Sequence, residues 1–468
     1  MQKTNLPSPP SDLADLGAVE AAALIRSKEV SALELVDATL ARIERCAHLN
    51  AFVTVTADLA REAAREAERA VMRGDSLGPL HGVPYSVKDL TLTAGVRTTM
   101  GSAIFEHFVP QHDAIPVARA RAAGAILIGK TNTPEFGARQ MAQSPVAGRT
   151  LHPTHPQYTP GASSCGAAVA VASGQGPIAL GTDGGGSIRI PASCCGIVGF
   201  KATLGAVANL QPADLFAANS YVGPMARNVA DTRLLFNAIR GPHPLDPWGQ
   251  GMHAGRSGPR ELAGLRVAWL PTCGNRLDPE VAAVTEAAMR ALQNQGAHVE
   301  PVGLDFTSLE PHFLVLLETL VASRVGPHLA QFGERMDPEV RAVALRGLQR
   351  NALELQEASF ARTRCFQDLQ RVLERFDLLA SPTVSAPPLH IDVNPEGLIE
   401  IDGQAEATVR AAWYPYTYPM NLTGHPALSM PCGRSRIGLP IGLQLVGRWH
   451  DDDFLLSVAE LLEPHLRA

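Results

Sequence analysis

Residues 159–201 read TPGASSCGAAVAVASGQGPIALGTDGGGSIRIPASCCGIVGFK. The stretch opens on a glycine-flanked turn, Gly161-Ala162-Ser163-Ser164. It continues as a helix of small residues over 165–174 and a buried strand over 177–181 that ends in glycine. From Thr150 to Thr182 no side chain is charged. The Gly, Ser, Pro and Gln in that run make a poor bilayer span, so it reads as a tightly packed buried element. Gly184-Gly185-Gly186-Ser187 follows and presents consecutive backbone N–H groups just before a hydroxyl. Such a loop lets the main chain come close to a ligand and aim donors at one point, as an oxyanion hole requires.

On both sides of this stretch, strands alternate with helices. Residues 11–75 are expected to be helical, with a capping box at Ser31 and Glu34. Pro84–Lys88 reads as a short strand carrying a lysine, followed by a helix near 115–123 and a buried strand over 125–129. Further helices are expected over 228–240, 279–295, most of 310–375 and 451–466, with strands over 265–270, 378–380 and 439–446. Residues 242–262 read as a surface connection. Alternation of this kind predicts an α/β fold, a layered sheet covered by helices.

Composition narrows the function. The chain has 468 residues, 46% apolar and 18% charged, which suits a large folded core and not disorder. A net charge of −6 gives no basic footprint for nucleic acid. Seven cysteines without metal-ligand spacing predict reduced thiols in a cytoplasmic protein. The first sixteen residues lack a signal-peptide pattern. No His-Glu-x-x-His occurs, so no metal is expected, and the glycine loop fits neither phosphate-binding fingerprint, so no cofactor is expected either.

A serine nucleophile needs a base, and the Gly-x-Ser-x-Gly elbow that usually works with histidine is absent around Ser187. Lys88 lies in an apolar segment, VPYSVKDL, where loss of solvent would keep its amine neutral and able to take a serine proton. Read singly, Ser187 is a helix cap and Lys88 an exposed strand-end lysine. The cysteines at 165, 194 and 195 are expected to be buried packing groups. Asn132 and Glu135 are expected to support the fold, and Arg139 and Gln140 are left outside the site.

Four segments give the chain a resemblance to the amidase signature family. They are His81 to Asp89, Gly129 to Phe136, Gly161 to Pro191, and Asn421-Leu422-Thr423-Gly424-His425-Pro426-Ala427 followed by Gly438 to Arg448. The resemblance implies one large domain over 1–468 with a central mixed β-sheet covered by helices on both faces. Within it, 1–75 would be N-terminal helices, 76–240 and 378–468 the catalytic core, and 242–377 a variable substrate-binding part. It implies Ser187 as nucleophile, Ser163 as a bridging serine after a cis peptide bond, and Lys88 as base. Gly184, Gly185 and Gly186 would form the oxyanion hole, with Ser164, Asp183 and Arg189 supporting it. Ala162 and Cys165 depart from the glycines usual in the family.

The expected activity is hydrolysis of a small or aromatic carboxamide or anilide through a Ser187 acyl-enzyme. The expected enzyme acts alone on a small molecule, without nucleic acid or membrane, and forms a homodimer by resemblance only. The alternative is the glutaminase subunit of a tRNA-dependent amidotransferase. That subunit typically carries a tyrosine-rich segment and a carboxylate-binding arginine, which residues 405–420, with Arg410, do not match. A catalytically dead binding protein is a third reading, against which intact Lys88, Ser163 and Ser187 argue.

Overall fold

The computed structural model describes residues 12–217, 219–250 and 255–466. The expectations for residues 1–11 and 251–254 lie outside that range. Eleven strands form one mixed sheet among the described residues. In chain order they are β1 (Phe52–Val55), β2 (Pro84–Lys88), β3 (Ile126–Thr131), β4 (Ile178–Asp183), β5 (Val198–Lys201) and β6 (Tyr221–Ala226). The rest are β7 (Arg266–Trp269), β8 (His298–Pro301), β9 (Leu378–Pro382), β10 (Ala427–Arg434) and β11 (Pro440–Val446). The spatial order is β1-β3-β2-β4-β6-β5-β10-β11-β9-β7-β8. Parallel pairs at β3-β2-β4 and β9-β7-β8 flank an antiparallel middle.

Helices cover both faces of a continuous apolar core, so the α/β expectation with a central mixed sheet holds. Two parts differ from the reading of the sequence. The expected helical stretch 11–75 is interrupted by β1, which pairs antiparallel with β3. Its residues Phe52-Val53-Thr54-Val55 are aromatic and β-branched, and the edge of the sheet takes them up. The segment 242–377 is not purely a substrate-binding part either. It contributes β7 and β8 to the sheet edge, and its helices pack Phe313, Ala361, Leu369 and Leu373 into the core.

Helix Cys165–Ala172 is wholly built from small side chains and nearly all of it is buried. It lies so close to the chain around Ala51 and Asn132 that a Cβ on Gly166 would collide with both backbones. Small residues are therefore a packing requirement here: they let the helix press on β2 and β3 and fix the turn that precedes it.

The helical run Thr307–Arg335 is long and apolar enough by composition to cross a membrane. In the fold its main helix, Glu310–Val325, stops at a 3-10 turn over Gly326–His328. It packs on helices Pro338–Gly347 and Ala352–Arg375 as a cap over the sheet. Glu318 is buried between them and accepts from Arg346 Nε at 2.7 Å and Arg350 Nε at 2.9 Å.

Candidate active site

Ser163, Ser187, Gly184 and Gly185 line one cavity of about 320 Å³. β2 ends on Lys88, which is fully buried. Its Nζ lies in hydrogen bonds 2.7 Å from Ser163 Oγ and 2.8 Å from Thr182 Oγ1. Burial pushes the Lys88 amine down to about 7, against the smaller upward pull of neighbouring Cys165 and Asp183. A strand-end lysine in water would be almost wholly charged at neutral pH; this one is divided between its two forms.

The Ala162-Ser163 peptide is cis, as the resemblance implies, and Ala162 is accommodated beside it. Ser164 sits at the start of helix Cys165–Ala172, where its Oγ donates to the Thr182 carbonyl at 3.1 Å and accepts from the Thr182 amide at 3.2 Å. Thr182 thus ties the serine turn to β4 while its hydroxyl holds Lys88. Ser163 and Ser187 line the same cavity. The relay is closed between Lys88 and Ser163, and no hydrogen bond joins the Ser163 and Ser187 hydroxyls among the described residues.

The glycine loop follows β4 and is held from below by Asp183. Its carboxylate accepts from the Gly186 amide at 2.6 Å and the Ile188 amide at 3.1 Å. Arg189 grips the same carboxylate through Nε and Nη2, both at 3.0 Å, and donates to Asn421 Oδ1 and Gln444 Oε1, each at 2.7 Å. Asn421 Nδ2 returns to Asp183 at 2.9 Å. Burial alone would raise the Asp183 carboxyl, but Arg189, Asn421 and Lys201 outweigh it and hold the group below the usual carboxylate range. The buried charge is therefore compensated on every side, the condition under which a buried ion pair is tolerable.

One oxyanion expectation needs correction. The Gly186 amide is spent on Asp183, so it is a strut of the loop and not a free donor. The amides of Gly184, Gly185 and Ser187 make no hydrogen bond among the described residues. Gly186 has φ +122°, and a Cβ there would collide with Thr417 Oγ1 and Ile190. Thr417 Oγ1 donates to the Gly185 carbonyl at 2.7 Å, fixing the loop from the far side. Thr182, Thr417, Asn421 and Gln444 are thus site residues that the sequence reading does not assign. Asn421 and Gln444 lie inside the fourth matched segment, which was the available signal.

Cys165, Cys194 and Cys195 are buried free thiols raised by burial, suited to packing and not to attack. Asn132 donates to Thr150 Oγ1 at 3.0 Å, and Glu135 accepts from Ser102 Oγ at 2.6 Å and from the Asp337 amide at 2.7 Å, both structural roles. Arg139 and Gln140 do line the cavity, with Arg139 bonded to Asp337. Among the described residues no histidine lines it; His425 is buried and shares a 2.9 Å hydrogen bond with Thr423 Oγ1. Residues 124–131, GAILIGKT, do have the spacing of a phosphate-binding loop. They form β3, however, with Lys130 buried and donating to the Thr91 carbonyl at 2.6 Å and Thr98 Oγ1 at 2.7 Å, so no phosphate cradle exists there. Among the described residues, no group of three or more His, Cys, Asp or Glu side chains could hold a metal ion.

Comparison with known proteins places this geometry. The Amidase family model matches residues 34–456. The A subunit of glutamyl-tRNA(Gln) amidotransferase from Roseiflexus sp. (strain RS-1) is 34% identical, covering 94% of this chain and 93% of its own. The same subunit from Geotalea daltonii is 34% identical over 94% and 95% of the two chains. Among solved structures, a bacterial aryl acylamidase of the amidase signature enzymes superposes with a TM-score of 0.89 at 27% identity, over 96% of each chain. A peptide amidase from Stenotrophomonas maltophilia gives 0.80 at 27% identity, over 98% of each.

These relatives overturn the expected activity. The stand-alone hydrolase of small or aromatic carboxamides and anilides gives way to the amidotransferase alternative, because the curated relatives at full length are amidotransferase subunits. The expectation of a small molecule as sole partner, with no nucleic acid and at most a homodimer, falls for the same reason. With a family model matched over most of its length and amidases as structural neighbours, the chain belongs to the amidase signature family of amide-hydrolysing enzymes.

Proposed function

We propose that this chain is the amide-cleaving subunit of an amidotransferase that acts on glutamyl-tRNA(Gln), and that it takes ammonia from the side-chain amide of glutamine. The full-length likeness to the corresponding Roseiflexus protein carries the reading. The partners would then be the remaining subunits and, through them, the charged tRNA. Seven free cysteines suit a reducing, cytoplasmic compartment.

The chemistry assigned to the site begins with neutral Lys88. Ser187 Oγ attacks the amide carbon, its proton passes to Ser163, and Ser163 gives its own to Lys88 Nζ. The contact between the two serines closes when substrate is bound, since catalytic hydrogen bonds often tighten only in the complex. The free amides at Gly184, Gly185 and Ser187 receive the oxyanion, each donor being worth about 3 kcal/mol. The same relay returns the proton to nitrogen, ammonia leaves and a Ser187 ester remains. Water, deprotonated along the same path, then releases glutamate. Asp183 and Arg189 hold the loop throughout.

The test is ammonia release from L-glutamine by the chain assembled with the other amidotransferase subunits of its own organism. Turnover that disappears in Ser187→Ala, with the fold intact by circular dichroism, is expected. No ammonia from glutamine in the assembly, while an anilide is hydrolysed by the chain alone, would overturn the reading.

A further inference from the structure

No carboxylate is hydrogen-bonded to Lys88 among the described residues. Its Nζ meets three neutral oxygens instead: Ser163 Oγ at 2.7 Å, Thr182 Oγ1 at 2.8 Å and the Thr182 carbonyl at 3.4 Å. Cys165 and Asp183 act on the amine through space only. Two of the three oxygens thus belong to one residue, and that residue is held firmly. Thr182 pairs with Val222 across β4 and β6, and the Ser164 hydroxyl bridges its amide and its carbonyl at 3.2 Å and 3.1 Å. A β-branched side chain on a strand has little χ1 freedom, so Oγ1 is fixed along with the backbone.

Counting hydrogens decides which way the amine faces. A neutral amine has two N–H groups and one lone pair; an ammonium has three N–H groups. A carbonyl only accepts, so one N–H goes to the Thr182 oxygen. Ser163 is 2% exposed, and Lys88 is the only hydrogen-bond partner of its hydroxyl among the described residues. Thr182 is half-buried and lines the cavity, so its own hydroxyl hydrogen can turn to the open side. Its Oγ1 then accepts the second N–H, and the lone pair is left for the Ser163 proton.

We propose that Thr182 is a positioning residue of the relay: its carbonyl and hydroxyl together occupy both N–H groups of neutral Lys88, so that the lone pair is aimed at Ser163. When the Ser163 O–H bond breaks and the new N–H bond forms, the same three oxygens accept from all three N–H groups of the ammonium. The surroundings of the amine therefore suit both of its states without rearrangement. Thr182 itself exchanges no proton. The role rests on Lys88 as the base in the reading above, and not on glutamine as the substrate.

The experiment follows the rate of Ser187 labelling by a fluorophosphonate across pH in the full chain, which needs no amide substrate. Thr182→Val keeps the outline of the side chain and removes the acceptor. Its plateau rate is expected to fall on the order of 10- to 100-fold, because the lone pair is no longer held in line. Its inflection is expected to lie about one pH unit below that of the wild type, since the ammonium has lost one acceptor and the charged form is disfavoured. Thr182→Ser should restore both. A merely structural role would lower the rate and leave the inflection in place. Unchanged kinetics, a fall without the shift, a shift without the fall, an upward shift, or no rescue by Thr182→Ser would each overturn the role of Thr182. Should Thr182→Val fail to fold by circular dichroism, Thr182→Ala makes the same comparison. A wild type without any inflection would overturn Lys88 as the base, and with it this role; ammonia release from glutamine tests the substrate separately.

Discussion

At the scale of single residues, one amine governs the chemistry. Lys88 is legible in the sequence because an apolar strand and a following glycine–serine stretch leave a lysine little else to do. Thr182, which holds that amine in place, is invisible there, since a threonine at a strand end has no distinctive spacing. Arg410 is present in the sequence but mute: only the fold places it in the cavity wall. The depressed amine has a thermodynamic signature. The folded state titrates near 7 and the unfolded chain near 10.5, so between these values only the unfolded chain keeps the proton, and stability rises with pH. Relative to Lys88→Met, wild-type stability is expected to grow by roughly 1.4 kcal/mol per pH unit between about pH 7.5 and 9.5, read from urea denaturation. A difference that stays constant with pH would mean the buried amine is charged.

At the scale of elements, the glycine loop and its Asp183–Arg189 base behave as one unit. Gly184 has open space around its Cα, whereas Gly186 is hemmed in by Thr417 and Ile190. Gly184→Ala is therefore expected to fold with wild-type stability, and Gly186→Ala to lose activity by more than tenfold, as measured by ammonia release. Comparable activity in the two variants would contradict the loop geometry. Arg189→Met strands a buried carboxylate and is expected to cost about 3–5 kcal/mol in chemical denaturation. The strands β5, β6 and β10 were not anticipated by the sequence reading for a related reason. Val198-Gly199-Phe200-Lys201 and Tyr221–Ala226 carry glycine or proline and are buried throughout, so they show no alternation. Partners distant in sequence make them strands. Pro224 is tolerated because β5 pairs with β6 only at Met225 and Ala226.

At the scale of the whole molecule, the sheet carries the relay and the helical cap over 310–375 supplies the opposite wall of the cavity, including Phe313 and Leu317. The cap was readable as helices, but its seating was not. Gly347 crosses the Glu318 backbone so closely that a Cβ would collide with its carbonyl. Gly347→Val should therefore shift the cap, raise KM for the amide and leave fluorophosphonate labelling of Ser187 near the wild-type rate. An unchanged KM would show that the cap does not shape the substrate site. Which amide the enzyme takes was the least legible property, because the catalytic segments serve any amide.

The rate at which Ser187 reacts with a fluorophosphonate, followed across pH by intact-protein mass spectrometry, tests the neutral-lysine relay most directly. The rate should climb through an inflection near pH 7 in the wild type and collapse at every pH in Lys88→Met. A rate indifferent to pH, or Lys88→Met reacting as fast as wild type, would remove Lys88 from the activation of Ser187.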